Sequence, residues 1–203
     1  MKLFMIDIES TGVDQNNDDI IEIGIVHMIK RPDGFYLPHN EIYHRVLYTD
    51  KKPTSPFAIK HMKDLYEKAN TATSYSPREI RQQVVDYLKS CGGTGSKDVQ
   101  FCGWNSSTFD TPFMVKKRYL VPSGYDKEDN LVGDFHYRPY EISGAIELAS
   151  DVTGYSRKTV LSMAEEIRKP KIDMPKGKDH DAVYDCYSQI NMLNGLIAVM
   201  RKH

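Results

Sequence analysis

Apolar and β-branched residues form three short runs near the beginning of the chain. Residues 2–8 are apolar up to a carboxylate, residues 19–29 are rich in isoleucine and valine, and residues 41–48 form the third run. β-Branched side chains favour pleated, half-buried strands. Turn-forming residues lie at 17–18 and 32–34, between these runs. The pattern predicts an antiparallel meander of three strands.

Helical patterns follow these strands. Ser76 is followed by Pro77 and, three residues after the serine, by Glu79. A serine cap, a first-turn proline and a glutamate at this spacing are a strong helix start. Apolar residues then recur at helical spacing until Gly92-Gly93. Similar patterns predict helices over residues 55–65, 109–120, 139–150, 159–168 and 181–201, a strand over 99–103 and a loop over 121–136.

Strands at the start, followed by strands and helices in alternation, predict an α/β fold. We expect one domain over residues 1–203, built on a mixed β-sheet flanked by helices. The content of 40% hydrophobic and 27% charged residues is typical of a soluble globular protein. No apolar run approaches the roughly 18 residues of a membrane span. A cytoplasmic protein without a membrane partner is therefore expected.

The cysteines and the net charge exclude some classes of protein. Cys91, Cys102 and Cys186 are an odd number and contain no Cys-x-x-Cys spacing, so neither a disulfide framework nor a zinc knuckle is indicated. Buried, reduced thiols are expected instead. The net charge of -1 does not indicate a nucleic-acid binder. An enzyme that releases its product can, however, rely on cations placed locally near a phosphate path.

Two carboxylates stand together at the end of the first predicted strand. Residues i and i+2 of a strand point to the same side, so Asp7 and Glu9 project together. Such a pair repels unless a cation lies between the two groups, and oxygen ligands suit Mg²⁺ or Mn²⁺. A solvated acidic strand end is the alternative, which the surrounding apolar residues disfavour. Thr11 and Gly12 add a tight turn that brings backbone N–H groups close to any ligand.

Two further segments carry acids that could face a cation. Asp110 begins a predicted helix directly after a strand, although an acid there also complements the helix dipole. His180 is expected just before the last helix. Asp185 is expected about one and a half turns inside that helix, where aspartate is a poor helix former. A metal would explain Asp185, whereas a loop histidine and a surface aspartate are the ordinary alternative.

Taken together, the three segments contain four acids and one histidine in the order that a two-metal phosphodiesterase needs. Asp-x-Glu-x-Thr-Gly, Asn-x-x-x-Phe-Asp and His-x-Ala-x-x-Asp resemble the three exonuclease motifs of the DEDDh superfamily, and the resemblance runs from Asp7 to Asp185. That superfamily includes polymerase proofreading subunits, ribonuclease T and oligoribonuclease. A tyrosine-based sister group would place tyrosine four residues before the last aspartate, where this chain has Asp181. His180 stands at the position of the histidine group.

The resemblance implies a ribonuclease-H-like fold and a metal-dependent 3′→5′ exonuclease that acts on the 3′ ends of single-stranded DNA or RNA. It implies that two Mg²⁺ or Mn²⁺ ions are held by Asp7, Glu9, Asp110 and Asp185, with His180 as general base. Relatives in this superfamily are often homodimers. Trp104 stands where many relatives carry a histidine, which leaves the choice of substrate open.

Substrate contacts are predicted around these motifs. Residues 53–62 are similar to the family's stretch before its second motif, where a histidine often lies against the terminal nucleotide, so His61 is a candidate or else a surface-helix histidine. The other candidates are Thr11, Gly12, Asn105, Phe109, Lys176 and Lys178. Five further cations could contact phosphates, although a solvated surface position is the favoured interpretation for each of them: Lys116, Lys117, Arg118, Arg157 and Lys158.

Two other functions fit the same fold or the same acids. A catalytically silent binding module would be expected to lack an acid or the histidine, and here all five residues are present. A metal-dependent hydrolase of a small phosphoester would use the acids without the full order of motifs. The ability to cleave long strands or only strands of a few nucleotides would separate an exonuclease from such a hydrolase.

Overall fold

The computed structural model describes residues 1–125, 127, 131–167 and 172–202. Its strands are β1 (Lys2–Ser10), β2 (Ile20–Lys30), β3 (Tyr36–Val46), β4 (Val99–Gly103), β5 (Gly124–Tyr125), β6 (Leu131–Val132) and β7 (Tyr140–Glu141). Its helices are α1 (Pro56–His61), α2 (Lys63–Thr71), α3 (Pro77–Ser90), α4 (Asp110–Lys116), α5 (Ile142–Thr153), α6 (Arg157–Ile167) and α7 (Ala182–Met200). None of the helices in these ranges is long and apolar enough to cross a lipid bilayer.

Five of the strands form one mixed sheet in the order β3-β2-β1-β4-β7. The first three strands pair antiparallel, whereas β4 runs parallel to β1 and β7 runs parallel to β4. The predicted meander and the predicted mixed sheet flanked by helices are therefore confirmed. Because β1 and β4 are adjacent and parallel, the segments that follow them leave the sheet at the same edge.

Helices cover both faces of the sheet, and β1 sends alternate side chains to each face. Phe4 and Ile6 pack in the cluster that includes Val84 of α3. Met5 packs in the opposite cluster with Ile190 of α7. This period of two directs the odd-numbered side chains of β1 toward α7. Two of the three cysteines, Cys102 and Cys186, are buried as expected. Cys91 is half-buried, which corrects the expectation of three buried thiols.

The third strand begins at Tyr36 and not at residue 41 as predicted. The turn after β2 is tight: the N–H of Arg31 donates to the carbonyl of Phe35, and Gly34 adopts a left-handed φ of 79°. Pairing resumes at once, since Tyr36 lies opposite Lys30. Pro38 lies within the new part of the strand, where its missing N–H is tolerated because β3 is an edge strand.

Two predicted helices have different limits. The helix predicted over 55–65 is divided into α1 and α2, because Met62 has a φ of −111° and a ψ of 18°. The helix predicted over 109–120 ends at Lys116, and Arg118 turns the chain with a left-handed φ of 63°. Neither break follows a proline or glycine. The apolar pattern runs across both positions, so the sequence does not indicate that a helix ends there.

Later predictions agree with the structure more closely, with two exceptions. The segment 121–136, predicted as a loop, contains the short antiparallel pair β5 and β6. The helix predicted over 139–150 begins only at Ile142, because β7 precedes it. The helices predicted over 159–168 and 181–201 correspond to α6 and α7, although residue 168 lies outside the described residues.

Candidate active site

Asp7 and Glu9 lie on the face of β1 that α7 covers, as the strand period predicts. The Glu9 side chain is buried. Regular pairing with β2 shifts directly after Glu9, so the strand changes its course at this point. The Asp7 carboxylate accepts a hydrogen bond from the side-chain amide of Gln189 at 2.8 Å, and this bond joins β1 to α7.

Asp110 reaches the same strand from the first position of α4. Its carboxylate is buried and accepts the backbone N–H of Ile8, between the two acids of β1, at 3.0 Å. Phe109 stacks edge-to-face on Phe113 at 5.6 Å and packs on the core from the side. The acid is therefore held against β1 by its backbone partner, while the two aromatic rings anchor the helix that carries it.

The beginning of α7 brings the last motif to β1. Asp181 caps the helix by accepting the N–H of Tyr184 at 3.3 Å, and the N–H of Ala182 donates to the Glu22 carboxylate at 2.9 Å. Because the helix begins at Ala182, Asp185 lies at the end of its first turn and not about one and a half turns inside, which corrects the expected depth. His180 stands just before the cap, as predicted.

Backbone geometry joins His180 to Asp185. His180 adopts a left-handed φ of 69°, and its N–H donates to the Asp185 carboxylate at 3.0 Å. Potential ligand atoms of Glu9, His180 and Asp185 all lie within 4.8 Å of one another. The turn before α7 thus places one acid of the last motif and its histidine beside an acid of the first motif.

The charge of these carboxylates is largely uncompensated. Burial raises the pKa of Glu9 to about 9, and the nearby Asp185 carboxylate adds to the shift. Burial raises the pKa of Asp110 to about 7 against the opposing hydrogen bond from Ile8. The pKa of Asp7 is raised well above its ordinary value by burial, then by the charges of Asp110 and Glu9.

Neighbouring cations do not relieve this repulsion. Within the part of the chain that the structure describes, none of these acids forms an ion pair with lysine or arginine. Burial also raises the pKa of Asp185, and the N–H of His180 opposes that shift. Buried carboxylates that repel one another and accept few hydrogen bonds suit a hard divalent cation. The donor set therefore fits the metals that the sequence predicts.

Two rings of α1 lie beside His180. Phe57 stacks on His61 at 4.8 Å and meets His180 edge-to-face at 4.8 Å. The rings of His61 and His180 are 5.3 Å apart, so the structure places His61 beside the predicted base. Phe57 is 50% exposed, which leaves one side of this aromatic cluster open to a ligand. Phe57 was not predicted from the sequence, although this residue lies in the segment 53–62 that contains the candidate His61.

A cleft of about 300 Å³ continues from His180 along α2. Its lining includes His61, Lys68 and Lys178. Lys178 is exposed and pairs with Asp64 at 3.1 Å across this cleft. Lys176 is also exposed on the loop before His180. Basic side chains therefore line the cleft beside the predicted base and occupy the loop before it.

Two of the other predicted contact residues, Thr11 and Gly12, have a role in the fold. The hydroxyl of Thr11 is fully buried, donates to Asp18 at 3.1 Å and accepts the N–H of Asp19 at 2.9 Å. A Cβ at Gly12 would collide with the hydroxyl of Thr54, so glycine is required there by packing. Asn105 is exposed, with a left-handed φ of 58°. Substrate contacts at these residues, and at Phe109, stay predictions.

Two further residues of the site were not predicted. Gln189 lies four positions after Asp185, which places both side chains on one face of α7 and offered a signal in the sequence. Glu22 lies opposite Glu9 in the β1–β2 register and binds the N–H of Ala182. The register of two strands decides the place of Glu22, and the sequence pattern alone does not give it.

The chain is similar to known nucleases over most of its length. A sequence profile described as exonuclease matches residues 4–193. The oligoribonuclease of Mannheimia succiniciproducens is 27% identical over 186 residues, which cover 88% of this chain and 91% of that protein.

Solved structures share the fold. Cell-death related nuclease 4 superposes with a TM-score of 0.64 at 15% identity, over 97% of this chain and 64% of that one. E. coli exonuclease I in complex with single-stranded DNA superposes with a TM-score of 0.59 at 13% identity, over 99% of this chain. This chain spans 41% of that longer protein. On the matched profile and the shared ribonuclease-H-like fold, the chain belongs to the exonuclease family, within the DEDDh-type 3′→5′ exonuclease superfamily.

Proposed function

We propose that this chain removes nucleoside 5′-monophosphates from the 3′ ends of short single-stranded RNA, with two divalent cations and His180 as general base. The observation that carries the proposal is the convergence of Glu9, His180 and Asp185, whose ligand atoms lie within 4.8 Å of one another. Asp7 and Asp110 complete the acidic centre from β1 and α4.

Asp7, Glu9 and Asp185 would hold the first ion, Asp7 would also contribute to the second, and Asp110 would act mainly through water. When bound, two such ions activate an attacking water and stabilise negative charge on the leaving 3′ oxygen. Mg²⁺ or Mn²⁺ suits a site made of carboxylates. The hydrogen bond from Gln189 fixes one oxygen of Asp7 at 2.8 Å, which favours a single orientation of that carboxylate.

His180 lies at the border between this acidic centre and the open cleft. Its backbone is fixed through Asp185 at 3.0 Å, while its ring touches only the aromatic rings of α1 among the ring contacts in the described residues. Imidazole is suited to accept a proton from water near neutral pH. The ring can therefore take that proton and pass it to solvent through the cleft.

The neighbouring rings support a single-stranded substrate. Stacked aromatic side chains bind unpaired bases with little dependence on sequence, and Phe57 and His61 form such a stack at 4.8 Å. The similarity to an oligoribonuclease over 91% of that protein favours short RNA. The similarity to the fold of exonuclease I, which was solved in complex with single-stranded DNA, supports a single-stranded substrate. Homodimerisation and a cytoplasmic location stay predictions from the sequence.

A gel time course with 5′-labelled strands tests the proposal. RNA and DNA of two to about five nucleotides, and longer strands of each, are incubated with Mn²⁺ or Mg²⁺. Wild type should shorten RNA from the 3′ end, with short strands consumed first, and EDTA should stop the reaction. Faster cleavage of DNA or of long strands would overturn the substrate assignment alone.

Three variants test the assigned residues. Asp185→Asn should abolish turnover, and the matched exposed acid of α5, Asp151→Asn, should leave it unchanged. His180→Ala should lower kcat by about 10²- to 10⁴-fold while metal binding persists. Loss of metal binding in His180→Ala would contradict the assignment of His180 as general base. No cleavage of any strand by folded wild type would favour a silent binding module instead.

A further inference from the structure

A second group of metal-binding side chains lies away from the acidic centre. His27 of β2 pairs with Phe4 near the beginning of β1, whereas Glu9 lies near its end. The two places are five residue steps apart along the strand, which is roughly 16 Å. The ring of His27 stacks on Phe4 at 4.8 Å, on the sheet face that α3 covers, while Asp7 and Glu9 face α7.

Three elements contribute one donor each to this group. A ring nitrogen of His27, a ring nitrogen of His39 on β3 and the sulfur of Cys91 at the end of α3 all lie within 4.8 Å of one another. In tetrahedral zinc sites the nitrogen and sulfur ligands lie about 2.0–2.3 Å from the ion, and hence about 3.3–3.8 Å from one another. Side-chain rotations that move the donor atoms by about 1 Å bring the three donors to that spacing.

His27 carries the feature that points to a ligand. Its Nδ1 atom is buried without a hydrogen-bond partner in the described residues. Burial, and the nearby charges of His39 and Lys2, lower the pKa of His27, so the ring is neutral and able to donate a lone pair. Buried polar atoms are almost always satisfied, and an exception is expected where an ion or water binds.

The surrounding groups permit a cation. Burial raises the pKa of the Cys91 thiol, while the hydroxyls of Tyr87 and Ser90 oppose the shift. Glu41 provides a negative charge beside Cys91 that offsets the Lys2 ammonium. Metal binding would release the thiol proton to solvent and leave both imidazoles neutral.

One hydrogen bond must be exchanged on binding. The Nδ1 atom of His39 accepts the N–H of Glu41 at 3.1 Å. In that tautomer the proton is on Nε2, so either ring nitrogen can act as a ligand only after this bond is released. Glu41 is exposed on the edge strand, where water can replace the histidine as acceptor. The exchange is therefore compatible with the fold.

We propose that His27, His39 and Cys91 bind a divalent transition ion, and that Zn²⁺ is the ion this donor set fits best. Two imidazoles and a thiolate are the ligands of a borderline-soft cation, in contrast to the oxygen ligands of the acidic centre. The bound ion would tie the end of α3 to the β2–β3 hairpin. The site is structural and stabilises the folded chain, since the three donors come together only on folding.

Titration with Co²⁺ tests the site directly, because only a thiolate ligand gives a sulfur-to-cobalt charge-transfer band. Wild type should develop this band as Co²⁺ is added, and Asp185→Asn, which alters the acidic centre alone, should keep it. Cys91→Ser should lose the band, and His39→Gln should weaken Co²⁺ binding by about tenfold or more. A folded wild type without the band, or a band that survives Cys91→Ser, would overturn the proposal.

Thermal unfolding with Zn²⁺ provides the second measurement, carried out in the Asp185→Asn background. A concentration of 100 times the Kd should raise Tm by about 5–10 °C. Cys91→Ser should lose this rise. Cys91→His, which retains three ligands, should keep the rise while lacking the charge-transfer band. An equal rise in the parent and in Cys91→Ser would show that the zinc effect has another source and contradict the site.

Discussion

Gln189 donates its side-chain amide to Asp7 at 2.8 Å, and the carbonyl oxygen of the same side chain accepts the N–H of Trp104 at 2.8 Å. One residue of α7 thus fixes a carboxylate of β1 and the loop that follows β4. Because Gln189 lies one turn after Asp185, the helix carries an acid and the group that orients a second acid.

We predict that Gln189→Leu lowers the apparent affinity for Mn²⁺ and the activity by about 10- to 100-fold. Leucine keeps much of the volume but removes both hydrogen bonds, so Asp7 loses its fixed orientation. The measurement is activity as a function of Mn²⁺ concentration. Gln82→Leu, which breaks a matched amide–carboxylate bond to Asp86 at 2.8 Å on the exposed face of α3, should leave both quantities unchanged. Equal metal dependence in the two variants would contradict an orienting function of Gln189.

The sequence was sufficient for those parts of the site that depend on local periodicity. Asp7 and Glu9 share a face because a strand repeats every two residues, and the serine cap before α3 is present with both of its bonds. Glu22 could not be predicted, since its place beside Glu9 depends on the register of two strands. The break at Met62 was missed because no proline or glycine marks it.

Phe57 shows that local sequence patterns also fail to predict residues that contact the proposed substrate. Its neighbours His61 and His180 are about 120 positions apart in sequence, and only the folded chain brings all three rings together. The segment that contains Phe57 was predicted as one continuous helix. Two helices with a break at Met62 direct the rings of α1 toward α7 instead.

We predict that Phe57→Ala raises KM for short RNA by about tenfold, because base stacking contributes about 1–3 kcal/mol per base. Ile59→Ala is the control, since Ile59 lies on the same helix with 59% exposure and Phe57 has 50%. Initial rates over a range of RNA concentrations give KM and kcat separately. A fall in kcat with unchanged KM would mean that Phe57 orients His180 and does not bind the base.

We predict that Gly24→Ala destabilises the protein by about 1–3 kcal/mol and reduces activity. A Cβ at Gly24 would lie 2.7 Å from the backbone carbonyl of Ala182, so the first turn of α7 must move away from β2. Asp185 and His180 move with it. Urea unfolding and the exonuclease assay report the two effects.

Gly144→Ala is the matched control for this substitution. Its Cβ would meet Glu141 only at 3.9 Å, an ordinary contact, and alanine favours the interior of α5. Stability should stay constant or rise by up to about 1 kcal/mol, with activity unchanged. If Gly24→Ala behaved like Gly144→Ala, close packing of α7 on β2 would not position the site.

The ion pair of His44 and Glu22 makes stability depend on pH. His44 lies 2.6 Å from the Glu22 carboxylate, which also accepts the N–H of Ala182 at 2.9 Å. The hydrogen bond to Glu22 raises the pKa of His44 above its ordinary value, against the opposing effect of burial. The charged ring therefore favours the folded state. Its contribution is complete below the unfolded-state pKa of about 6.5 and is lost as pH rises through the folded-state pKa.

We therefore predict that wild type exceeds His44→Gln in free energy of unfolding at pH below about 6.5, and that the difference shrinks as pH rises. The gap stays modest because the His44 side chain is 45% exposed and solvent screens the pair. Urea unfolding of both proteins over a pH series measures it. His136→Gln should show no such trend, because the His136 ring accepts the N–H of Arg138 at 3.2 Å and forms no ion pair with an acid within the described residues. A difference that grows with pH would mean that neutral His44 is the stabilising form, contrary to the ion pair with Glu22.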